Sequence, residues 1–157
     1  MLRRWWWVGL IQLVSGCATC SGDGTTKAGQ DEAVRIVWNE VFLQSDASPE
    51  IRWVHGTALI CTDPNSGRPG FETPSGCREG LTIVPTMVQV AWRDDDKFST
   101  TTLAHELLHA LHFHTNVMAD PNHKTSGFRP MSECPEKPHD LCGIVERANV
   151  KLVEAGL

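Results

Sequence analysis

The chain has 157 residues, of which 41% are hydrophobic and 21% charged, with a formal net charge of −5; this fits one ordinary domain and a tail. The absence of a basic cluster, a repeat or a low-complexity stretch argues against a nucleic-acid surface and against fibrous or solenoid architectures. No apolar run in the sequence approaches the ~20 residues of a membrane-spanning helix. Residues 1–16 carry Arg3 and Arg4, then an apolar run over 5–14, then Ser15 and Gly16. That order of charge, apolar run and small residues is the order of a secretory signal. Residues 17–29 are small and polar and predict a flexible tether, leaving 30–157 as the folded domain. Over 31–44, Val34, Val37, Trp38, Val41 and Phe42 recur at helical spacing, and Pro49 closes the region. Residues 51–54 and 57–61 predict strands around Gly56, and 81–84 and 87–92 predict a second pair around Pro85. Residues 93–97 read as a solvated turn. A helix is predicted over 99–113 with Ser99 or Thr100 as its N-cap. Residues 114–138 contain Pro121, Pro130, Pro135 and Pro138 and predict a long irregular loop. A last helix is predicted from His139 or Asp140, with Leu141, Ile144, Val145, Ala148 and Leu152 on one face. The order of elements implies an α+β fold, a small mixed sheet covered by helices.

The run Val14-Ser15-Gly16-Cys17 resembles the lipobox of bacterial lipoproteins. The resemblance implies cleavage before Cys17, lipidation of that cysteine, and a location on the bacterial cell envelope, facing the periplasm or the cell exterior. Cleavage would leave 12 Lys+Arg against 19 Asp+Glu, a net charge of −7. A chain so acidic is held on a membrane by its lipid, not by anionic head groups. Export also accounts for the cysteines. Beyond Cys17 there are five, an odd number. The expected local bridges are Cys61–Cys77 and Cys134–Cys142, with Cys20 left over. No C-x-x-C follows residue 20, which disfavours a cysteine metal site.

The chemistry concentrates in His105-Glu106-Leu107-Leu108-His109, an H-E-x-x-H motif. Residues four apart on a helix share a face one turn apart, so both imidazoles can grip one zinc ion. Glu106, beside the first ligand, can reach a water there without ligating the metal and act as its general base. Leu103, Leu107, Leu108, Ala110 and Leu111 supply the buried side of that helix.

Strand, turn, H-E-x-x-H helix, loop and closing helix resemble the zincin metallopeptidases over about residues 86–155. The resemblance implies one catalytic zinc, a peptide or protein substrate, and a sheet beside the active-site helix whose edge strand, here 87–92, receives the substrate. The third ligand is open. Metzincins carry Gly at the position of His112 and His or Asp at that of Thr115, and this chain has neither. Glu133, Glu136 and Glu146 do not sit in the short motif of gluzincins. The stretch Ala119-Asp120-Pro121-Asn122-His123 after the H-E-L-L-H resembles a group of exported bacterial metallopeptidases, which implies His123 as ligand. His114, Asp120 and His112 are the alternatives, with Asp120 also suited to accept a hydrogen bond from a ligand imidazole. Met118 reads as a core plug, Arg129 as a salt-bridge or solvent residue, His55 and His139 as structural or surface, and Trp38, Trp53 and Trp92 as core. A second reading of the chain is a non-catalytic exported lipoprotein that keeps a zinc site for stability or partner binding.

Overall fold

The computed structural model describes residues 26–42, 48–56, 60–65, 67–73, 76–91, 98–115, 122–136 and 141–157. The signal segment, Cys17, Cys20, Trp92, the acidic turn, Met118, Asp120 and His139 lie outside the described residues.

The fold is a small mixed α+β arrangement of three helices and two small sheets. Helix α1 (Lys27–Phe42) begins earlier than the expected Asp31. Thr26 explains this: its hydroxyl accepts from Gly29 N at 3.1 Å and its carbonyl from Gln30 N at 3.0 Å, a capped first turn. The last residues assigned to the tether therefore belong to the helix. The main sheet has the order β1-β6-β5, built from β1 (Arg52–Gly56), β5 (Gly80–Val84) and β6 (Met87–Ala91). β1 runs parallel to β6, and β5 antiparallel to it across the Pro85-Thr86 turn. β6 is thus the central strand, and β5 is the edge beside the second helix. This corrects the expectation that 87–92 forms the edge.

The stretch between Cys61 and Cys77, rich in Pro, Gly and Ser, forms a second antiparallel sheet of β2 (Ile60–Thr62), β3 (Pro69–Thr73) and β4 (Gly76–Arg78). The Cys61–Cys77 bridge staples its outer strands. Asp63 closes the turn, accepting from Asn65 N at 2.9 Å. Arg68, just before β3, donates to Ser99 Oγ at 3.5 Å and lies 3.7 Å from Glu79 Oε1. The second sheet is thereby fastened to the start of α2.

Helix α2 (Thr100–His114) follows the sequence closely. Ser99 is its N-cap, accepting from Thr102 N at 3.2 Å. Leu103, Ala104, Leu107, Leu108, Ala110 and Leu111 are fully buried. Each buried leucine contributes about 1.5–3 kcal/mol. They meet Val34 and Val37 of α1, Val88 and Val90 of β6, and Trp53, whose ring meets Phe98 edge-on at 4.7 Å. Helix α3 (Ile144–Glu154) starts later than expected, after Gly143 in a left-handed conformation. Ile144, Val145, Ala148 and Leu152 are buried, whereas Leu141 lies before the helix and is exposed. No described helix is long and apolar enough to cross a membrane.

Helices α1 and α3 are tied by Glu40, a buried acid that accepts from Arg147 Nε at 2.8 Å and from Lys151 Nζ. Burial alone would push this carboxyl up, but the hydrogen bonds from Lys151 and Arg147 outweigh it and hold the group below the ordinary carboxylate range. A depressed folded pKa means stability that is present above the unfolded value and lost as pH falls through the folded one. Glu40→Gln is expected to cost about 1.5–3 kcal/mol at neutral pH, toward the lower end because Lys151 is half-exposed. Urea unfolding of both forms from pH 7 to pH 3 checks it: the gap must close as Glu40 protonates. A gap constant with pH would mean that Glu40 acts through packing alone.

Candidate metal centre

His105 and His109 lie one turn apart on α2, and their Nε2 atoms approach to 3.1 Å. The loop after α2 returns His123 to the same place, with its Nε2 3.1 Å from His109 Nε2. The three ligand atoms lie within 4.8 Å of one another. Hydrogen bonding alone explains this poorly. An imidazole nitrogen has one in-plane position, occupied by a proton or a lone pair, so His109 Nε2 cannot serve two neighbours well. A shared cation can be served by all three. Zinc holds imidazole nitrogens at about 2.0–2.1 Å, which places adjacent nitrogens roughly 3.4 Å apart in a tetrahedral set. The two spacings from His109 are within a few tenths of an ångström of that and the third pair lies within 4.8 Å, so the donor set fits.

The backbone bends to deliver the third imidazole. His123 has φ of 51°, the only positive value among the described non-glycine residues. Such a conformation costs roughly 1–3 kcal/mol and persists where the surroundings impose it, often at ligand clamps.

Phe128 packs the three rings together. Its ring lies in the 3-10 turn Ser126–Phe128, with its centroid 4.9 Å from His105, 4.5 Å from His109 and 4.9 Å from His123. Packing of this kind locks ring orientation. Burial, then repulsion from His109 and His123, pushes the His105 imidazolium down to about 3. His105 is therefore neutral at physiological pH and offers a lone pair, the form a metal needs.

Glu106 is 8% exposed and points into the seam between α2 and β5. Thr82 Oγ1 lies 2.7 Å from Glu106 Oε2 and 2.9 Å from the Glu106 carbonyl oxygen. Burial pushes the Glu106 carboxyl up to about 7, against the downward pull of the Thr82 hydrogen bonds. A dication at the imidazoles would draw it back down. Gly80 makes this approach of strand to helix feasible. A Cβ there would sit 2.5 Å from Thr102 Cγ2 and 2.7 Å from Glu106 Cγ.

The other expected candidates fall elsewhere. His114 is exposed, and its ring meets the Pro85 carbonyl at 3.0 Å, at the far end of β5. His112 is buried and presents itself edge-on to Phe128 at 5.7 Å, outside the cluster. Two turns beyond His105, it sits ~10 Å along the helix axis from it. Arg129 is exposed. Thr82, Gly80 and Phe128 were not anticipated as site residues. Phe128 left one trace, a lone aromatic after glycine in a polar loop; Thr82 left none. Comparison with protein-family models, curated proteins and solved structures finds no match for this chain.

Proposed function

We propose that this chain is a zinc metallohydrolase of the zincin type, acting as an endopeptidase. The carrying observation is the convergence of His105, His109 and His123, with Glu106 the next residue after His105 on the same helix. A zinc ion held there supplies Lewis-acid chemistry, polarising a carbonyl and acidifying a water. Glu106 takes the proton from the attacking water and returns it to the leaving amine. Thr82 holds the carboxylate in place for both transfers. The described residues provide three donors, the number found where one coordination position serves substrate or water; a structural site would close with a fourth. Glu106 beside the first imidazole, a carboxylate that a structural site has no use for, favours an enzyme over a non-catalytic zinc lipoprotein.

The peptide lies along β5, the edge strand next to α2 among the described residues. Ile83 and Val84 are each more than 40% exposed and offer apolar surface on that edge. The two disulfides, Cys61–Cys77 and Cys134–Cys142, fit an oxidising, exported environment. The lipobox-like sequence supports an anchor at Cys17 on the bacterial cell envelope.

Metal content tests the reading at its root. The full-length protein, purified oxidised and without a metal-binding tag, is expected to carry one zinc per chain by mass spectrometry. A folded chain that stays empty when zinc is offered would end the metallohydrolase reading.

A further inference from the structure

We infer that the Cys134–Cys142 bridge holds His123 and Phe128 in the metal cluster, so that the domain binds zinc tightly only in its oxidised state. The inference rests on the metal reading of the three histidines but not on hydrolysis.

The segment 122–136 has little burial of its own to fix it. Residues 122–124 and 129–133 are exposed, including Met131 at 48%; Gly127 and Phe128 are the residues that reach inward. Yet this segment carries the third imidazole and the ring that packs all three. Ordering a chain costs conformational entropy at every residue, so its position must come from attachments.

Those attachments converge on the start of α3. Gly143 N donates to Ser126 O at 3.1 Å, and Met131 N to Glu146 Oε2 at 2.6 Å. Cys134 is bonded to Cys142, which is 2% exposed and whose carbonyl accepts from Arg147. Arg147 in turn holds Glu40 of α1. One end of the bridge is thus fixed in the packed frame, and the other holds the ligand-bearing segment. Gly143 lets the two come close: a Cβ there would lie 2.8 Å from Met131 Cγ. The Cys61–Cys77 bridge lies on other elements, between β2 and β4 of the second sheet.

The redox step is an ordinary exchange. Cys134 is the more exposed partner. A glutathione thiolate attacks its sulfur, the S–S bond breaks, and Cys142 leaves as a thiolate and takes a proton. A second glutathione resolves the mixed disulfide, leaving two protein thiols and one glutathione disulfide. The segment is then held by the Gly143 N–Ser126 O and Met131 N–Glu146 Oε2 hydrogen bonds and by Phe128 against the core.

Binding and bridging are linked reciprocally: if the bridge tightens zinc binding, zinc must make the bridge harder to reduce by the same factor. The first measurement is zinc affinity of the full-length protein by competition with a chromophoric chelator. Cys134→Ser/Cys142→Ser is expected to bind zinc at least tenfold more weakly than wild type with its helical circular dichroism intact. Cys61→Ser/Cys77→Ser is expected to keep wild-type affinity. The second measurement needs no variant. In glutathione redox buffers, with each pair quantified by alkylation and peptide mapping, zinc is expected to lower the Cys134–Cys142 potential by about 30 mV per tenfold of affinity. The Cys61–Cys77 potential should not move. Equal zinc affinity with and without the bridge overturns the inference while leaving the metal site standing. So does a rise in potential with zinc, which would mean that the freed thiols take the metal themselves. A wild-type chain that binds no zinc overturns both readings together.

Discussion

Glu106→Gln is expected to abolish hydrolysis of peptide substrates while zinc content and fold stay as in the wild type. The substitution changes two atoms' chemistry and almost no volume. The amide oxygen can still accept from Thr82 Oγ1, now 2.7 Å from Glu106 Oε2, so the seam between α2 and β5 remains closed. What is lost is the capacity to take up a proton. General-base catalysis by a placed side chain contributes typically 10²–10⁴-fold, or about 2.7–5.4 kcal/mol of barrier. A loss of at least 100-fold in kcat/KM against a mixed peptide substrate follows, with one zinc per chain retained. His105 and His109 keep their places because their shared face is set by the helix, which Leu103, Leu107, Leu108 and Leu111 anchor in the core. Unchanged hydrolysis in the variant would move the activity to a contaminant or to another site. Unchanged biological activity in cells, with zinc still bound, would favour the binding-module reading.

That prediction draws on the part of the chain most legible in its sequence. The H-E-x-x-H segment carries its own helix signals: Ser99 as cap and apolar residues at helical spacing. Each is local, and each acts in the folded structure as it reads in the sequence. The second sheet was not legible for a related reason. Its strands are three to five residues long and lie among Pro, Gly and Ser. Their pairing is fixed by the Asp63 turn and the Cys61–Cys77 bridge rather than by alternation of polar and apolar residues. The edge strand was misassigned because strand order is a tertiary fact. Val88 and Val90 mark β6 as half-buried, but nothing along 80–91 says which neighbour has a free side.

The residues around the motif divide the same way. His123 emerged through a short resemblance, not through any spacing rule, because the loop that returns it has no period. Thr82 and Gly80 sit more than twenty residues from Glu106 in sequence and meet it only when β5 docks on α2. Phe128 contacts all three imidazoles, yet in sequence it is one aromatic in a polar loop. Sequence reading recovers a candidate metal donor where a helix fixes the geometry. It does not recover the side chains that orient the ligand, since those come from whichever element packs alongside.

His123 gives the second large effect, and two substitutions there separate ligand from backbone. His123→Ala is expected to weaken zinc binding by more than the 10–100-fold typical of losing an outer-shell partner, since it removes one of three nitrogens outright. His114→Ala is expected to leave affinity unchanged, because that ring is occupied with the Pro85 carbonyl. The backbone adds a signature of its own. With φ of 51°, residue 123 occupies a region where Ala is strained by about 1–2 kcal/mol and Gly is not. His123→Gly should therefore lose zinc as fully as His123→Ala but unfold at higher urea in the presence of chelator. Wild type and His114→Ala should both gain thermal stability from zinc, by about 2.7 kcal/mol at a hundredfold excess over Kd. Neither His123 variant should gain it at that concentration. Chelator competition and thermal unfolding with and without zinc supply both readouts. Zinc retained by His123→Ala but lost in His114→Ala would transfer the third ligand to His114, and the approach of His123 to His109 would then be a packing contact of the loop.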